Sequence, residues 1–202
     1  MEYSPYNPLD KINLGSSVAD ALLNSCVHKL GFLEPFNGAG IYAIYYSGNF
    51  KAYELLAKEN SNGKFSMPIY VGKAISPGAR KGNFGLNNLP GHAMFNRLKE
   101  HADSVDAAEN LNLNDFYCRF LVVEDIWIPL GEALLIAKFS PILNKLIEGF
   151  GNHDLVSGRY KQIRSKWDTL HPGRSWAFKC TSRTDNLKQI TLEINNYLIH
   201  IL

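Results

Sequence analysis

At 202 residues, 46% hydrophobic and 20% charged, the chain suits one domain with a full core, or one domain with extensions. Three cysteines (Cys26, Cys118 and Cys180) stand far apart without a C-x-x-C pair, which argues against a disulfide framework or a zinc site. No apolar run reaches transmembrane length and the N-terminus lacks the basic and apolar regions of a signal peptide, so a soluble, cytoplasmic protein is expected.

In chain order, residues 17–30 read as a helix: Ser17 and Asp20 make a capping-box-like start, Val18, Leu22, Cys26 and Leu30 recur near helical spacing, and Gly31 follows as a stop. Pro35, Asn37 and Gly38 break the chain. Ile41–Tyr46 and Ile69–Val71 are rich in β-branched and aromatic residues and read as strands. The stretch between them is longer than a hairpin turn and holds a helical excursion around Tyr53–Ala57, with a loop at Asn60–Gly63. Ala74–Gly91, with four glycines, two prolines and three asparagines, is a long loop centred on Arg80 and Lys81. His92–Ala102 reads as a helix and Phe116–Val123 as a buried strand. Pro129 suits the first turn of a helix running to about Phe139, which Pro141 ends. Leu187–Ile201 keeps helical spacing through Leu187, Ile190, Ile194, Leu198 and Ile201, and alternates locally like a strand at Ile190, Leu192 and Ile194; helix is the expectation.

Charge is unevenly distributed. Glu100–Glu132 carries eight acidic residues and one basic one, Arg119, whereas Arg159–Arg183 carries seven basic residues against the single acid Asp168. The basic stretch is either a phosphate-binding surface or an ordinary solvated one.

Several side chains suit phosphodiester hydrolysis, which needs an activated water, an acceptor for its proton, positive charge at the five-coordinate phosphorus and help for the departing oxygen. Arg97 and His101, at i and i+4, share one helical face. Arginine offers phosphate a bidentate fork, and histidine exchanges a proton near neutral pH. Glu132, expected in the first turn of its helix, is a carboxylate candidate for one Mg²⁺, which completes its shell with waters and phosphate oxygens. Tyr42 and Tyr70 are placed on strands. A phenol titrates near pH 10, so a base role needs positive charge or metal-bound water beside it, and Lys73 is positioned to supply that charge. Asn144 offers an amide to a phosphate or to a neighbouring side chain. Taken singly, each of these residues is also an ordinary packing, capping or surface residue.

Together they resemble the GIY-YIG nuclease superfamily. Gly40-Ile41-Tyr42 matches the first signature and Tyr70-Val71-Gly72-Lys73 the second, with valine for isoleucine; Arg97, Glu132 and Pro141-Ile142-Leu143-Asn144 match the helix arginine, the metal glutamate and the closing element. The narrower resemblance is to the small type II restriction endonucleases that cut the palindrome CCGCGG. It rests on Arg97-x-x-x-His101, Pro129-Leu130-Gly131-Glu132-Ala133, Gly149-Phe150-Gly151-Asn152 and Pro172-Gly173-Arg174-Ser175-Trp176. The spacing between the two tripeptides is longer than in most members, which implies an insertion, and His101 stands where many members carry tyrosine.

The resemblance implies an α+β fold: a small mixed or antiparallel sheet of about three strands flanked by helices. It places a helical extension at 1–37, the catalytic core at 38–146, and a DNA-binding or dimer extension of the same domain at 147–202. It implies Mg²⁺-dependent cleavage giving 5′-phosphate and 3′-hydroxyl ends, with one metal per active site. In that scheme Tyr42 orients or deprotonates the water with His101 as base or relay, and Lys73 tunes Tyr42. Arg97 stabilises the phosphorane, Glu132 holds the metal, and Tyr70 and Asn144 contact the phosphate. A palindrome read by so small a protein favours a homodimer on double-stranded DNA, with a cognate methyltransferase in the host. Arg80, Lys81, Arg159, Lys161, Arg164, Lys166 and Arg174 are the candidate DNA contacts. A structure-specific or weakly specific nuclease and a non-catalytic DNA-binding module are the competing readings.

Overall fold

In Gly40–Tyr46, aliphatic and aromatic residues follow one another without polar interruption, and the segment forms a strand buried on both faces. In this computed structural model, which describes residues 7, 9–76, 90–152 and 161–202, that strand is β2. β1 (His28–Lys29), β3 (Tyr70–Ala74) and β4 (Phe116–Val122) complete an antiparallel sheet of order β1-β4-β2-β3. The fold is α+β, and its fourth strand is the two-residue edge β1.

Strand alternation sorts β2 into two cores. Ile41, Ala43 and Tyr45 face α1 (Lys11–Leu23) and α4 (Ile128–Phe139), together with Ala19, Leu22, Val71 and Leu135. Tyr42, Ile44 and Tyr46 face the larger core. There they meet Leu98 of α3 (Ala93–Asp106), Leu56 of α2 (Glu54–Glu59), Trp167 of α6 (Lys166–Leu170), and Ile190, Ile194 and Leu198 of α7 (Leu187–Ile201). The short helix α5 (Ile142–Lys145) runs past β3. A true capping box, Asn186 with Gln189, starts α7, so the local alternation in that segment yields to helical burial of the 190/194/198 stripe. Among the described residues, no helix is long and apolar enough to cross a membrane.

Two expectations are corrected. The first helix spans Lys11–Leu23, not 17–30: the Asp10 carboxylate accepts the Ile12 N–H at 2.8 Å and caps it, and the chain leaves helical geometry after Asn24. The second concerns Glu132, which is the fifth residue of α4 and lies in its second turn; the helix starts at Ile128, one residue before Pro129. The helix dipole therefore acts on it less than supposed.

Candidate active site

β2 and β3 pair antiparallel with Tyr42 opposite Gly72 and Ile44 opposite Tyr70, which brings both tyrosines to the same face with ring centroids 6.3 Å apart. The glycine of the second tripeptide is required by this packing. A Cβ on Gly72 would stand 2.4 Å from the Tyr42 hydroxyl. α3 lies across this face and delivers Arg97 and His101 from adjacent turns. His101 is buried, and its Nε2 is 2.8 Å from the Tyr42 hydroxyl. The Arg97 guanidinium donates to the Glu100 carboxylate at 2.8 Å and to the Gly151 carbonyl at 3.3 Å, and its charge acts on both phenols.

Electrostatics separates the two possible bases. Burial pushes the Tyr42 phenol far above its ordinary range; Tyr70 adds to this, Arg97 pulls it back, and the Glu132 carboxylate raises it again. Tyr70 is raised for the same first reason and is also partly relieved by Arg97. Tyr42 is thus a phenol at neutral pH. It can give up its proton only when a partner accepts it at the same moment, and the His101 imidazole is in hydrogen-bond contact.

Lys73 lies on the opposite face of β3, in register with Ile41, and its ammonium pairs with the Glu132 carboxylate of α4. The expectation that Lys73 tunes Tyr42 is therefore corrected, since a residue three positions after Tyr70 emerges on the other side of the strand. The Glu132 carboxylate is a quarter or less exposed and already neighbours one cation. Among the described residues, no group of three or more His, Cys, Asp or Glu side chains could form an all-protein metal cage. Glu132 is the residue that could hold a hard cation that keeps most of its waters, and such a cation would share or displace the carboxylate oxygen that now pairs with Lys73.

Asn144 also departs from expectation. Its Oδ1 accepts the Val71 N–H and its Nδ2 donates to the Val71 carbonyl, both at 2.8 Å. The amide closes on the backbone of β3 and fixes the strand that carries Tyr70, which gives it a positioning contact with that strand.

A family model for the Eco29kI GIY-YIG domain matches residues 34–198. The chain belongs to that family. No curated protein matches it at a significant level. The match assigns a GIY-YIG restriction-type nuclease, and it runs past the catalytic face through the basic segment into α7.

In this GIY-YIG chain most of the basic segment serves the fold. Arg174 is buried and corrected from its expected role as a DNA contact. Its Nε donates to Asp168 at 2.7 Å, and its other nitrogens reach the carbonyls of Gly149 (2.8 Å), Asn152 (3.0 Å) and Phe150 (3.4 Å). Lys166 pairs with Glu193 at 2.6 Å, and Arg164 donates to the Ala177 carbonyl at 3.0 Å and lies against the Phe178 ring. Lys161 is exposed. Arg80, Lys81 and Arg159 lie outside the described residues.

Sequence reasoning missed Phe150 and Gly151. The Phe150 ring stacks on His101 at 4.5 Å and 19°. Gly151 passes so close over the site that a Cβ there would stand 2.7 Å from the Arg97 guanidinium. The available signal was an aromatic residue between two glycines, a pattern suited to backbone crossing tightly over other side chains.

Proposed function

We propose that this chain is a type II restriction endonuclease that hydrolyses double-stranded DNA at a GC-rich palindrome, CCGCGG, leaving 5′-phosphate and 3′-hydroxyl ends. The contact that carries the reading is the 2.8 Å Tyr42–His101 hydrogen bond, set beside Arg97 in a GIY-YIG domain. The specific palindrome rests on the resemblance of Arg97-x-x-x-His101, Pro129–Ala133 and the tail motifs Gly149–Asn152 and Pro172–Trp176 to enzymes that cut it.

Tyr42 holds the attacking water through its hydroxyl oxygen. As the water oxygen closes on phosphorus, its proton passes to Tyr42 while the Tyr42 proton passes to His101 Nε2, so no free phenolate forms. Arg97 faces the same phenols and meets the growing charge of the phosphorane with a guanidinium that keeps its own charge throughout. Tyr70 borders the same space and hydrogen-bonds a phosphate oxygen. Asn144 holds Tyr70 in place through the backbone of Val71. Glu132 is the residue that would hold Mg²⁺, one per active site, and the bound ion would supply Lewis-acid charge toward the phosphate and the departing 3′ oxygen. Lys73, paired with Glu132, keeps that carboxylate oriented.

A palindromic site presents two equivalent strands, so a homodimer on DNA with one active site per strand is the economical assembly, and residues 147–202 are an extension of the catalytic domain. A host methyltransferase would protect the same sequence. Digestion of plasmids with and without CCGCGG, in Mg²⁺ and in EDTA, with the ends sequenced, tests this. Discrete Mg²⁺-dependent fragments ending at CCGCGG are expected. A smear, or preference for branched DNA, would move the reading to a weakly specific or structure-specific GIY-YIG nuclease. Binding without cleavage under every condition would leave a non-catalytic module.

A further inference from the structure

The two tail motifs lie 23 positions apart in sequence (149 to 172) yet meet in space, and neither is used by the chemistry above. Gly149–Asn152 forms a short strap across the catalytic face. Its carbonyls at 149, 150 and 152 converge on the Arg174 guanidinium, which is itself fixed by the buried Asp168 and covered by the Trp176 ring at 4.8 Å. Asp168 is held in turn by the Ser165 hydroxyl at 2.6 Å.

From this strap the Phe150 ring projects between two aromatic partners. One face lies on His101, 4.5 Å away and nearly parallel at 19°, and Trp167 packs against the ring at 4.6 Å and 54°. The Tyr70 ring meets Phe150 edge-on at 5.1 Å and 76°. The strap carbonyl of Gly151 accepts from Arg97, so the same four residues contact the two α3 side chains that face the tyrosines.

We infer that Phe150 is a positioning residue for the nuclease reaction. Held by the Arg174–Asp168 clamp, it fixes the His101 ring plane so that Nε2 points at the Tyr42 hydroxyl, and the C-terminal extension thereby completes the active site. This rests on the Tyr42–His101 relay proposed above. The physical reason is geometric. Hydrogen bonds lying in the ring plane leave an imidazole freedom to tilt, and proton transfer tolerates little misorientation. A flat ring against its face, backed by Trp167, removes the tilt. A branched aliphatic side chain of similar volume fills the space without imposing a plane.

The test uses the full-length protein and three variants: Phe150→Leu, Phe150→Tyr and Arg174→Lys. The readouts are single-turnover cleavage at saturating DNA, DNA affinity in Ca²⁺, thermal stability, and the imidazole ¹⁵N resonances of His101. For Phe150→Leu the cleavage rate should fall about tenfold, a part of the 10²–10⁴ that a positioned proton acceptor supplies. DNA affinity should stay within about twofold, and the His101 resonances should move toward those of an averaged tautomer. Phe150→Tyr keeps the plane but buries a hydroxyl at a ring 1% exposed, so it should lose stability while the folded protein keeps parental rate and resonances. Arg174→Lys loses the fork that gathers the three carbonyls and should mimic Phe150→Leu. A folded Phe150→Leu protein with unchanged cleavage and unchanged His101 resonances overturns the inference, whatever its loss of stability. Equal loss of rate in Phe150→Leu and Phe150→Tyr reduces Phe150 to a packing residue and also overturns it. His101→Ala cutting at the parental rate refutes the relay itself, and the ¹⁵N readout distinguishes that outcome from failure of the positioning role.

Discussion

Replacing Arg174 with alanine separates a structural arginine from a DNA-binding one. The side chain is 6% exposed and makes an ion pair with Asp168, which is itself only 4% exposed, and three further contacts with backbone carbonyls. Arg174→Ala leaves the Asp168 carboxylate buried without its counter-charge and strips donors from the carbonyls of 149, 150 and 152. Removing one partner of a buried pair costs about 3–5 kcal/mol. For a chain of this size that corresponds to a fall in melting temperature of roughly 6–20 °C. Adding Asp168→Asn should recover part of the loss, because the orphaned charge is its main source. Differential scanning calorimetry of the parent, the single variant and the double variant measures this. Fluorescence anisotropy of labelled duplex across a salt series supplies the contrast: the slope of log affinity against log salt should not change, whereas a lost phosphate contact would reduce it by about 0.9. An Arg174→Ala protein with parental melting temperature and a slope reduced by about one would refute the structural assignment and restore Arg174 as a DNA contact.

Other predictions follow from the same contacts. Tyr42→Phe should bind DNA as the parent does and lose cleavage by two orders of magnitude or more, the lower end of what acid–base catalysis contributes, as read by single-turnover kinetics. Asn144→Ala removes both side-chain contacts to the Val71 backbone and leaves them unmatched, so it should cost about 1–3 kcal/mol in urea denaturation and slow cleavage through Tyr70. Acid should weaken the fold through His171, whose imidazole is pushed down to about 3 by burial and then by the Arg174 charge. The unfolded chain takes up that proton first. Stability present above pH 6.5 is therefore lost as the pH falls toward 3, by about 2 kcal/mol at pH 5, which denaturation at pH 7.5 and pH 5 checks against a Tyr53→Phe background. Lys161→Ala should weaken DNA binding with no change in melting temperature, since its side chain is exposed.

Much of the catalytic face was legible because its residues are tied to local pattern. The two tripeptides sit on strands whose period of two places both tyrosines on one face, and i, i+4 spacing brings Arg97 and His101 together on α3. What sequence hid was partnership across distance. Seven basic residues between 159 and 183 look like a field offered to a polyanion. Yet Arg174 answers Asp168, Lys166 answers Glu193, and Arg183 bridges Glu148 and Asp185. Asp168 was visible inside the window, but its burial with Arg174 was not, and Glu148, Asp185 and Glu193 lie outside it, where a count along the stretch cannot weigh them. The first helix was misplaced for a different reason. Leu22 and Leu30 keep helical spacing but belong to opposite faces of the sheet, so the apparent stripe joins a helix to the 3-10 turn that follows the edge strand. The role of the Phe150 strap is hidden in the sequence because its stacking on His101 depends on a tertiary crossing that no local period encodes.

The most direct test of the central claim compares the parent with Glu132→Ala on a CCGCGG duplex, measuring binding in Ca²⁺ and cleavage in Mg²⁺ on the same preparations. Equal binding by both proteins, with cleavage by the parent alone, is the predicted result. Cleavage by Glu132→Ala at the parental rate would contradict the assignment of the metal to this carboxylate and, with it, the single-metal nuclease mechanism proposed for this face.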